Sequence, residues 1–385
     1  MLTILSILIG GYLALASFYM LLFAIGAKIN ATKAFVTLPS PLTAEASMAV
    51  FIPGYQEDAV IVEVAKKALA QAYKNYTVIV IADSFLPETL VLLNELPIKV
   101  VEVQFEQSTK VKALNHAMRQ LESDYDLAVI LDADNVMEKD FLAKINEAYH
   151  QGATVIQGRR IAKNTDTSYA LLDALSEAIN NNIYNLGQIN LGFSARLVGS
   201  GMAFKYSLFQ SLMETSVAVG GFDKELELKL LEQGKHIHYV HNAIVWDEKV
   251  SKVAVFAKQR RRWLSAQYHY LKEYGGRAIK ALLTKGNFDF FNKIYQMALP
   301  PRLLLPVLLG IGTIVSYLAG SSTFGIWFFG FLANVLANFI SIPREMFTIK
   351  LLKALLKLPV AVFFMVLSLL KLKGANKKFY HTPHG

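Results

Sequence analysis

The sequence predicts an α/β domain with a mainly parallel sheet, tied to a membrane by one N-terminal helix and further helices near the C-terminus. Three observations carry this. Between residues 48 and 131, apolar runs alternate with helical patterns, which requires right-handed crossovers between parallel strands. Residues 1–25 contain no charged side chain and exceed the ~20 apolar residues that span a bilayer. The 385-residue chain is also 54% hydrophobic, too apolar for an ordinary soluble enzyme, and the excess lies at its two ends.

Taken in order, residues 1–26 read as a retained transmembrane helix. A cleaved signal would open with charge and close on a small-residue cleavage site. Residues 27–46, with Pro39 and Pro41, form a linker. The central domain, 47–250, opens with a strand at 48–52 that ends at Pro53-Gly54-Tyr55-Gln56-Glu57. A helical stretch covers 59–70, a second strand 77–81 ends at Asp83, a third covers 98–103, and 111–121 is helical. The fourth strand, 127–131, is apolar throughout, as expected for a strand buried on both faces. It runs directly into Asp132-Ala133-Asp134.

Ligands of open α/β sheets bind at the carboxyl ends of the strands. Glu57, Asp83 and Asp132 each follow a strand, so all three collect on one rim. Alternate carboxylates offer hard oxygen ligands to a divalent cation that also holds phosphate. Asp at such a boundary also serves plain turn chemistry.

Residues 251–290 read as amphipathic interfacial helices carrying Gln259-Arg260-Arg261-Arg262-Trp263, a pattern of snorkelling arginines with a Trp anchor. Residues 291–343 supply two transmembrane helices, from the apolar runs 294–320 and 324–342. Lys28 and Lys33 follow the first helix, whereas the Ser321-Ser322-Thr323 connection is uncharged. The central domain is therefore expected on the cytoplasmic side of a plasma (inner) membrane, with that hairpin outside. In 344–385, Arg344, Lys350, Lys353 and Lys357 precede the apolar stretch 355–370, and Lys371, Lys373, Lys377 and Lys378 follow it. Basic flanks on both sides suit a helix at the cytoplasmic interface, a third crossing being the alternative. The surplus charge of +9 lies largely beside apolar segments, where it meets anionic lipid rather than nucleic acid. Without cysteine there is no disulfide framework, and no zinc-ligand spacing occurs.

In this order the motifs resemble the membrane-bound inverting glycosyltransferases of family 2, the group containing cellulose, chitin and hyaluronan synthases. The resemblance runs from the first strand to the C-terminus. Phe51-Ile52-Pro53-Gly54-Tyr55-Gln56-Glu57 resembles the opening nucleotide loop, with Gln56 where Asn is usual. Lys110-Val111-Lys112-Ala113-Leu114-Asn115 resembles the Lys…Ala-Leu-Asn segment, Asp132-Ala133-Asp134 the metal and diphosphate motif, and Gln259 to Trp263 the Gln-x-x-Arg-Trp signature. The family's Glu-Asp is Phe222-Asp223 here, followed by a matching helix with Lys229 for Arg and Gly234 at the right distance.

The resemblance implies a GT-A nucleotide-diphospho-sugar transferase domain. Donor binding falls to Pro53, Tyr55, Glu57, Asp83, Lys110, Asp132, Asp134, Gln259 and Arg262, with Mg²⁺ or Mn²⁺ on Asp132 and Asp134. The catalytic base is Asp223, with a helix N-cap as its alternative role. Glu225 and Glu227 are competing carboxylates that the leucine pattern directs toward solvent. Gly199, Ser200, Gly201 and Trp263 fall on the acceptor side, the glycines otherwise forming an ordinary turn, and Lys110 otherwise a surface lysine. Phe379, Thr382 and His384 resemble a gating segment, otherwise a disordered polar tail.

The implied reaction transfers sugar from a UDP-sugar to a growing polysaccharide or a lipid-linked acceptor. A cation stabilises the departing diphosphate, and a base deprotonates the acceptor hydroxyl. A single displacement inverts the anomeric centre and gives a β-linkage from an α-linked donor. About three membrane elements provide little channel wall, so polymer export calls for a homo-oligomer or a partner. A non-processive single-sugar transferase and a non-catalytic nucleotide-sugar-binding scaffold or sensor are the alternatives.

Overall fold

A computed structural model describes residues 1–29, 44–121, 124–218, 220–249 and 253–370. Four strands, β1 (Met48–Tyr55), β2 (Tyr76–Asp83), β3 (Lys99–Val103) and β4 (Leu127–Ile130), pair in parallel in the order β3-β2-β1-β4. Alternate residues enter two separate cores. Ala49, Phe51, Ile79, Ile81, Ala128 and Ile130 face one, while Met48, Val50, Ile52, Val78, Val80 and Val129 face the other. Both faces being covered is why these strands read as unbroken apolar runs.

Helices α2 (Ile61–Ala68) and α5 (Phe141–His150) pack in the second core; α4 (Lys110–Gln120), α8 (Tyr206–Glu214) and α9 (Phe222–Glu232) pack in the first. The short α3 (Pro87–Asn94) lies along β3. Beyond β4 the sheet changes direction. β7 (Met202–Lys205) runs antiparallel to β4, then come β6 (Val155–Ala162), β8 (His238–Asp247) and the two-residue β5 (Val136–Met137). The sheet is thus mixed, with Asp83 and Asp132 at or just past the carboxyl ends of its parallel strands. Because β7 is reversed, its first residue, Met202, sits opposite Ile130 at the end of β4. The loop before β7 therefore arrives at the same rim as Asp132.

Helix α1 (Leu2–Gly26) packs against α13 (Phe324–Ser341), and both are long and apolar enough to cross a membrane. Their contact uses small residues: a Cβ on Gly330 would stand 2.9 Å from Ala14. Asn334 Nδ2 donates to Ser17 Oγ across the pair (3.3 Å). On the other side, α6 (Ser168–Asn181) continues through a π-helical turn at 182–186 into α7 (Gly187–Asn190), which lies against the end of α1. Asn190 there donates to the carbonyl of Gly26 (3.0 Å).

The apolar run 294–320 is not one helix. Residues 294–298 belong to α11 (Phe288–Ala298), which buries Ile294 in the domain core, so the boundary drawn at 290/291 cuts through this helix. Leu299 is extended ahead of Pro300-Pro301, since a proline pushes the preceding residue out of the helical region. What remains is α12 (Leu305–Leu318), 14 residues long. At 1.5 Å per residue it reaches about 21 Å, short of the ~30 Å of a bilayer core.

The interfacial segment is a single 33-residue helix, α10 (Val253–Lys285). After α14 (Ile349–Leu355), which packs on α6, the last helix α15 (Leu358–Leu370) lies against α10. Most of the expected linker and the whole tail from residue 371, including Phe379, Thr382 and His384, lie outside the described residues.

Candidate active site

Lys110 opens α4, whose first turn is capped by Thr109 Oγ1, an acceptor for the Lys112 N–H (3.2 Å). From there its ammonium reaches three groups. It donates to Asp132 Oδ1 (2.5 Å) and to the carbonyl of Gly199 (2.9 Å), and stands 4.8 Å from the centre of the Phe222 ring. Phe222 immediately precedes Asp223. A Cβ placed on Gly199 would lie 3.9 Å from Asp223 Cγ, so the 199–201 loop and Asp223 adjoin. Burial lowers the pKa of the Arg262 guanidinium, while Asp132 and Asp223 pull it back up. Lys110, Asp132, Gly199, Asp223 and Arg262, drawn from five separate segments, therefore form one cluster. Lys110 is a member of that site, not a solvent-facing lysine.

Asp223 is not a helix cap. The N-cap of α9 is Gly221, in the left-handed conformation (φ 70°), and Asp223 is the second helical residue. Gly221 also lets α10 close in, since a Cβ there would stand 3.0 Å from Ala266 Cβ. Ala266 lies one turn beyond Arg262. The same approach that excludes a side chain at 221 brings the turn carrying Arg262 towards the start of α9.

Glu225 and Glu227 do not face solvent as the leucine pattern suggested; both are buried. Glu225 accepts the Ala218 N–H (3.1 Å) and pairs with Lys229 (2.8 Å). Glu227 accepts the Leu197 N–H (3.1 Å) and pairs with Lys293 (3.0 Å). Helix α9 is enclosed on nearly every side, so its acids meet protein partners rather than water. That leaves half-buried Asp223 as the acid of this helix beside the cluster.

The loop at 199–201 is a braced structure. Ser200 Oγ accepts the Asp132 N–H (2.9 Å), and Gly201 N–H bonds to the Ile130 carbonyl (2.9 Å). Buried Gln157 donates to the Ser200 carbonyl (2.9 Å) and accepts the Val198 N–H (3.0 Å). Gly199 and Gly201 have φ of 88° and 62°, a region that side chains rarely tolerate. Gln157 escaped the sequence reading because a lone Gln in a strand carries no motif.

Asp134 is buried, and its Oδ2 accepts the Glu248 N–H (3.3 Å). Behind it lies a buried charge cluster that sequence reasoning missed. Arg160 pairs with Glu177 (2.7 Å), and Lys249 bridges Glu177 and Asp247. Asp247 in turn accepts from Asn135 Nδ2 (3.0 Å). Burial opposes ionisation of Glu177, yet Arg160 and Lys249 hold its carboxyl down to about 2. The available signal was charge inside or just after an apolar strand: Arg159-Arg160 within β6, and Asp247-Glu248-Lys249 at the end of β8.

The remaining donor-side residues sit further along the rim. Asp83 pairs in register with Tyr55 at the ends of β2 and β1, two strands from β4 and so about 10 Å away at ~4.8 Å per strand. It is buried, which raises its pKa, while the Ser84 hydroxyl, which donates to it (3.0 Å), opposes that rise. Pro53 lies within β1; Glu57, beyond its end, is buried, and its carbonyl receives the Ile61 N–H (3.1 Å) that starts α2. Gln56 and Ser84 both adopt positive φ, 53° and 59°, beside this edge. Gln259 and Trp263 flank Arg262 on α10, and Gln259 Oε1 is buried with no hydrogen-bond partner among the described residues. A buried orphan acceptor of this kind is what a ligand donor would satisfy.

Among the described residues no third His, Cys, Asp or Glu joins Asp132 and Asp134 in a metal-binding group. Two carboxylates fit a hard cation that takes its other ligands from phosphate and water, as Mg²⁺ does.

Comparison with known proteins shows the family and the fold. Residues 45–266 match the family described as Glycosyltransferase like family 2, spanning more than half of the chain. The fold is similar to that of the mannosyltransferase PcManGT from Pyrobaculum calidifontis, solved with GDP-Man and Mn²⁺. That overlay has a TM-score of 0.54 at 18% identity and covers 86% of this chain and 99% of that one. Glucosyl-3-phosphoglycerate synthase from Mycobacterium tuberculosis, solved with Mn²⁺, UDP and glucosyl-3-phosphoglycerate, overlays more loosely. Its TM-score is 0.41 at 16% identity, over 57% of this chain and 78% of that one. No curated protein sequence matches the chain.

Proposed function

Since the chain belongs to glycosyltransferase-like family 2, and is therefore a glycosyltransferase of the GT-A fold, we propose an inverting transfer from a UDP-sugar to a carbohydrate or lipid-linked acceptor. The transfer takes place at the cytoplasmic face of the inner membrane, where α1 and α13 anchor the domain.

The observation that carries this reading is the cluster around Lys110, which joins Asp132 to Gly199 while Gly199 adjoins Asp223. Donor and acceptor sides meet there. Asp132 and Asp134 would hold a Mg²⁺ or Mn²⁺ ion, which would supply positive charge to the departing diphosphate. Lys110 adds a fixed cation on the same side, and Arg262, whose charge feels both Asp132 and Asp223, adds a second. Asp83, with Tyr55 and Glu57, receives the base and ribose about 10 Å along the rim, a span suited to a nucleoside diphosphate. Asp223 accepts the proton of the acceptor hydroxyl as that oxygen attacks the anomeric carbon from the face opposite the diphosphate. One displacement inverts the centre, so an α-linked donor gives a β-linked product.

Gly199 and Gly201 let a sugar approach backbone closely, and Trp263 offers it an aromatic face. Among the described residues two helices are of spanning length, which leaves little wall for a polymer channel within one chain. That supports either transfer of single sugars or assembly with further copies or a partner for export.

The test is a panel of nucleotide sugars, including GDP-mannose, with Mg²⁺, Mn²⁺ or chelator, reading release of nucleoside diphosphate. Cation-dependent release from a UDP-sugar supports the proposal. Binding without release points to a sugar-nucleotide sensor instead.

A further inference from the structure

Glu227 lies one turn beyond Asp223 on α9 and is fully buried. Its Oε1 is the meeting point of three elements. It accepts the N–H of Leu197, two residues before Gly199, at 3.1 Å, and it takes Lys293 Nζ of α11 at 3.0 Å. Lys293 is 2% exposed and also donates to Gln296 Oε1 (3.1 Å). Next to it, Asn292 donates to Gln188 Oε1 of α7 (2.8 Å) and accepts from Tyr19 Oη of α1 (2.7 Å). Helix α11 is thereby pegged to the N-terminal helix on one side and to the helix of the proposed base on the other.

A buried ion pair carries a desolvation cost that an apolar pair of the same volume avoids, so cohesion alone gives no reason for one here. What it provides is direction. Apolar contacts let a helix slide or rotate by fractions of an ångström, whereas a shared carboxylate oxygen fixes both. We propose that Glu227 and Lys293 are positioning residues that lock α9 and the 197–201 loop against α11, holding Asp223 in register with the acceptor-side loop. The inference rests on the reading of Asp223 as the base. It reaches beyond that reading by tying the geometry of the base to a helix that the reaction itself does not use.

The test uses the full-length chain with the donor it turns over. Replacing both partners, Glu227→Met with Lys293→Met, removes the charges together and restores cohesion. Melting temperature should rise above that of Glu227→Met alone, the remaining deficit being the Leu197 N–H left without its acceptor, and donor KM should stay within ~2-fold. Yet kcat should remain ~10-fold or more lower, because misplacing a catalytic group costs rate rather than ground-state binding. Lys293→Arg, which keeps the charge, should recover part of that loss. Should the double variant fail to fold, Glu227→Gln, which keeps volume and the acceptor for Leu197, is measured in its place.

Amide exchange gives an arm that needs no substrate: it should quicken over 195–201 while 127–130 stays protected. A parental kcat in a folded double variant overturns the proposal, as does exchange that rises equally in both segments. Asp223→Asn, assayed alongside, separates the two ideas. If it transfers normally the base reading fails, whereas if it is inactive while the double variant works, only the positioning role fails.

Discussion

The carboxyl carbon of Asp223 stands 3.9 Å from the point where a side chain on Gly199 would begin. Gly199 also holds φ at 88°, where an L-residue pays ~1–2 kcal/mol. Gly199→Ala should therefore move the loop at the place where an acceptor hydroxyl meets its base. The expected result is a fall in kcat of ~10-fold or more with donor affinity retained, measured by transfer kinetics and donor titration. Equal loss of donor binding would place Gly199 on the donor side instead.

Gln56 occupies the position where the family resemblance expects Asn, and its φ of 53° gives a reason. Asn tolerates the left-handed region better than Gln. Gln56→Asn should raise stability by a few tenths to ~1 kcal/mol, seen as a higher melting temperature, with donor KM unchanged. A lower melting temperature would contradict this account of the loop.

Much of the fold could be read in advance because β1, β2 and β4 are buried on both faces, which gives short apolar runs bounded by turn residues. The rim acids followed, since Asp83 and Asp132 sit at strand ends whatever the loops do. What stayed hidden depends on contacts between distant segments. The reversal of β7 brings Ser200 onto the Asp132 N–H, and no local pattern announces a reversed strand. Glu225 and Glu227 were misplaced because a leucine repeat implies one buried face, whereas α9 is enclosed by loop, α10 and α11 together. In the run 294–320 the hydropathy outweighed Pro300-Pro301, although the proline pair marks where the helix stops.

Glu177 makes stability depend on pH in a defined window. Its carboxyl titrates at about 2 in the fold against 4.5 as the ordinary value. A lowered folded pKa contributes stability that is present above pH 4.5 and lost as pH falls toward 2. Glu177→Gln should flatten that acid limb. It should also destabilise the neutral protein by ~3–5 kcal/mol, because Arg160 and Lys249 are left buried without their shared partner. Thermal melts from pH 7 downward check both, and an unchanged acid limb would be inconsistent with an ionised Glu177.

Asp134 is expected to bind the cation directly. Asp134→Asn should abolish cation-dependent turnover and, independently of turnover, weaken Mn²⁺ binding measured by electron paramagnetic resonance in the presence of UDP. Near-normal transfer by that variant in chelator would remove the metal from the scheme.

The most direct measurement of the central claim is turnover and donor binding of Asp223→Asn beside Glu225→Gln and Glu227→Gln. Loss of a general base predicts that Asp223→Asn binds the donor as the parent does but transfers ~10²-fold more slowly or worse. Glu225→Gln should lower stability while retaining transfer, and Glu227→Gln should keep donor binding and measurable transfer, its rate lowered only through the displacement of Asp223. Parental transfer by Asp223→Asn, with either glutamine variant folded and inactive, would show that the base lies elsewhere on α9.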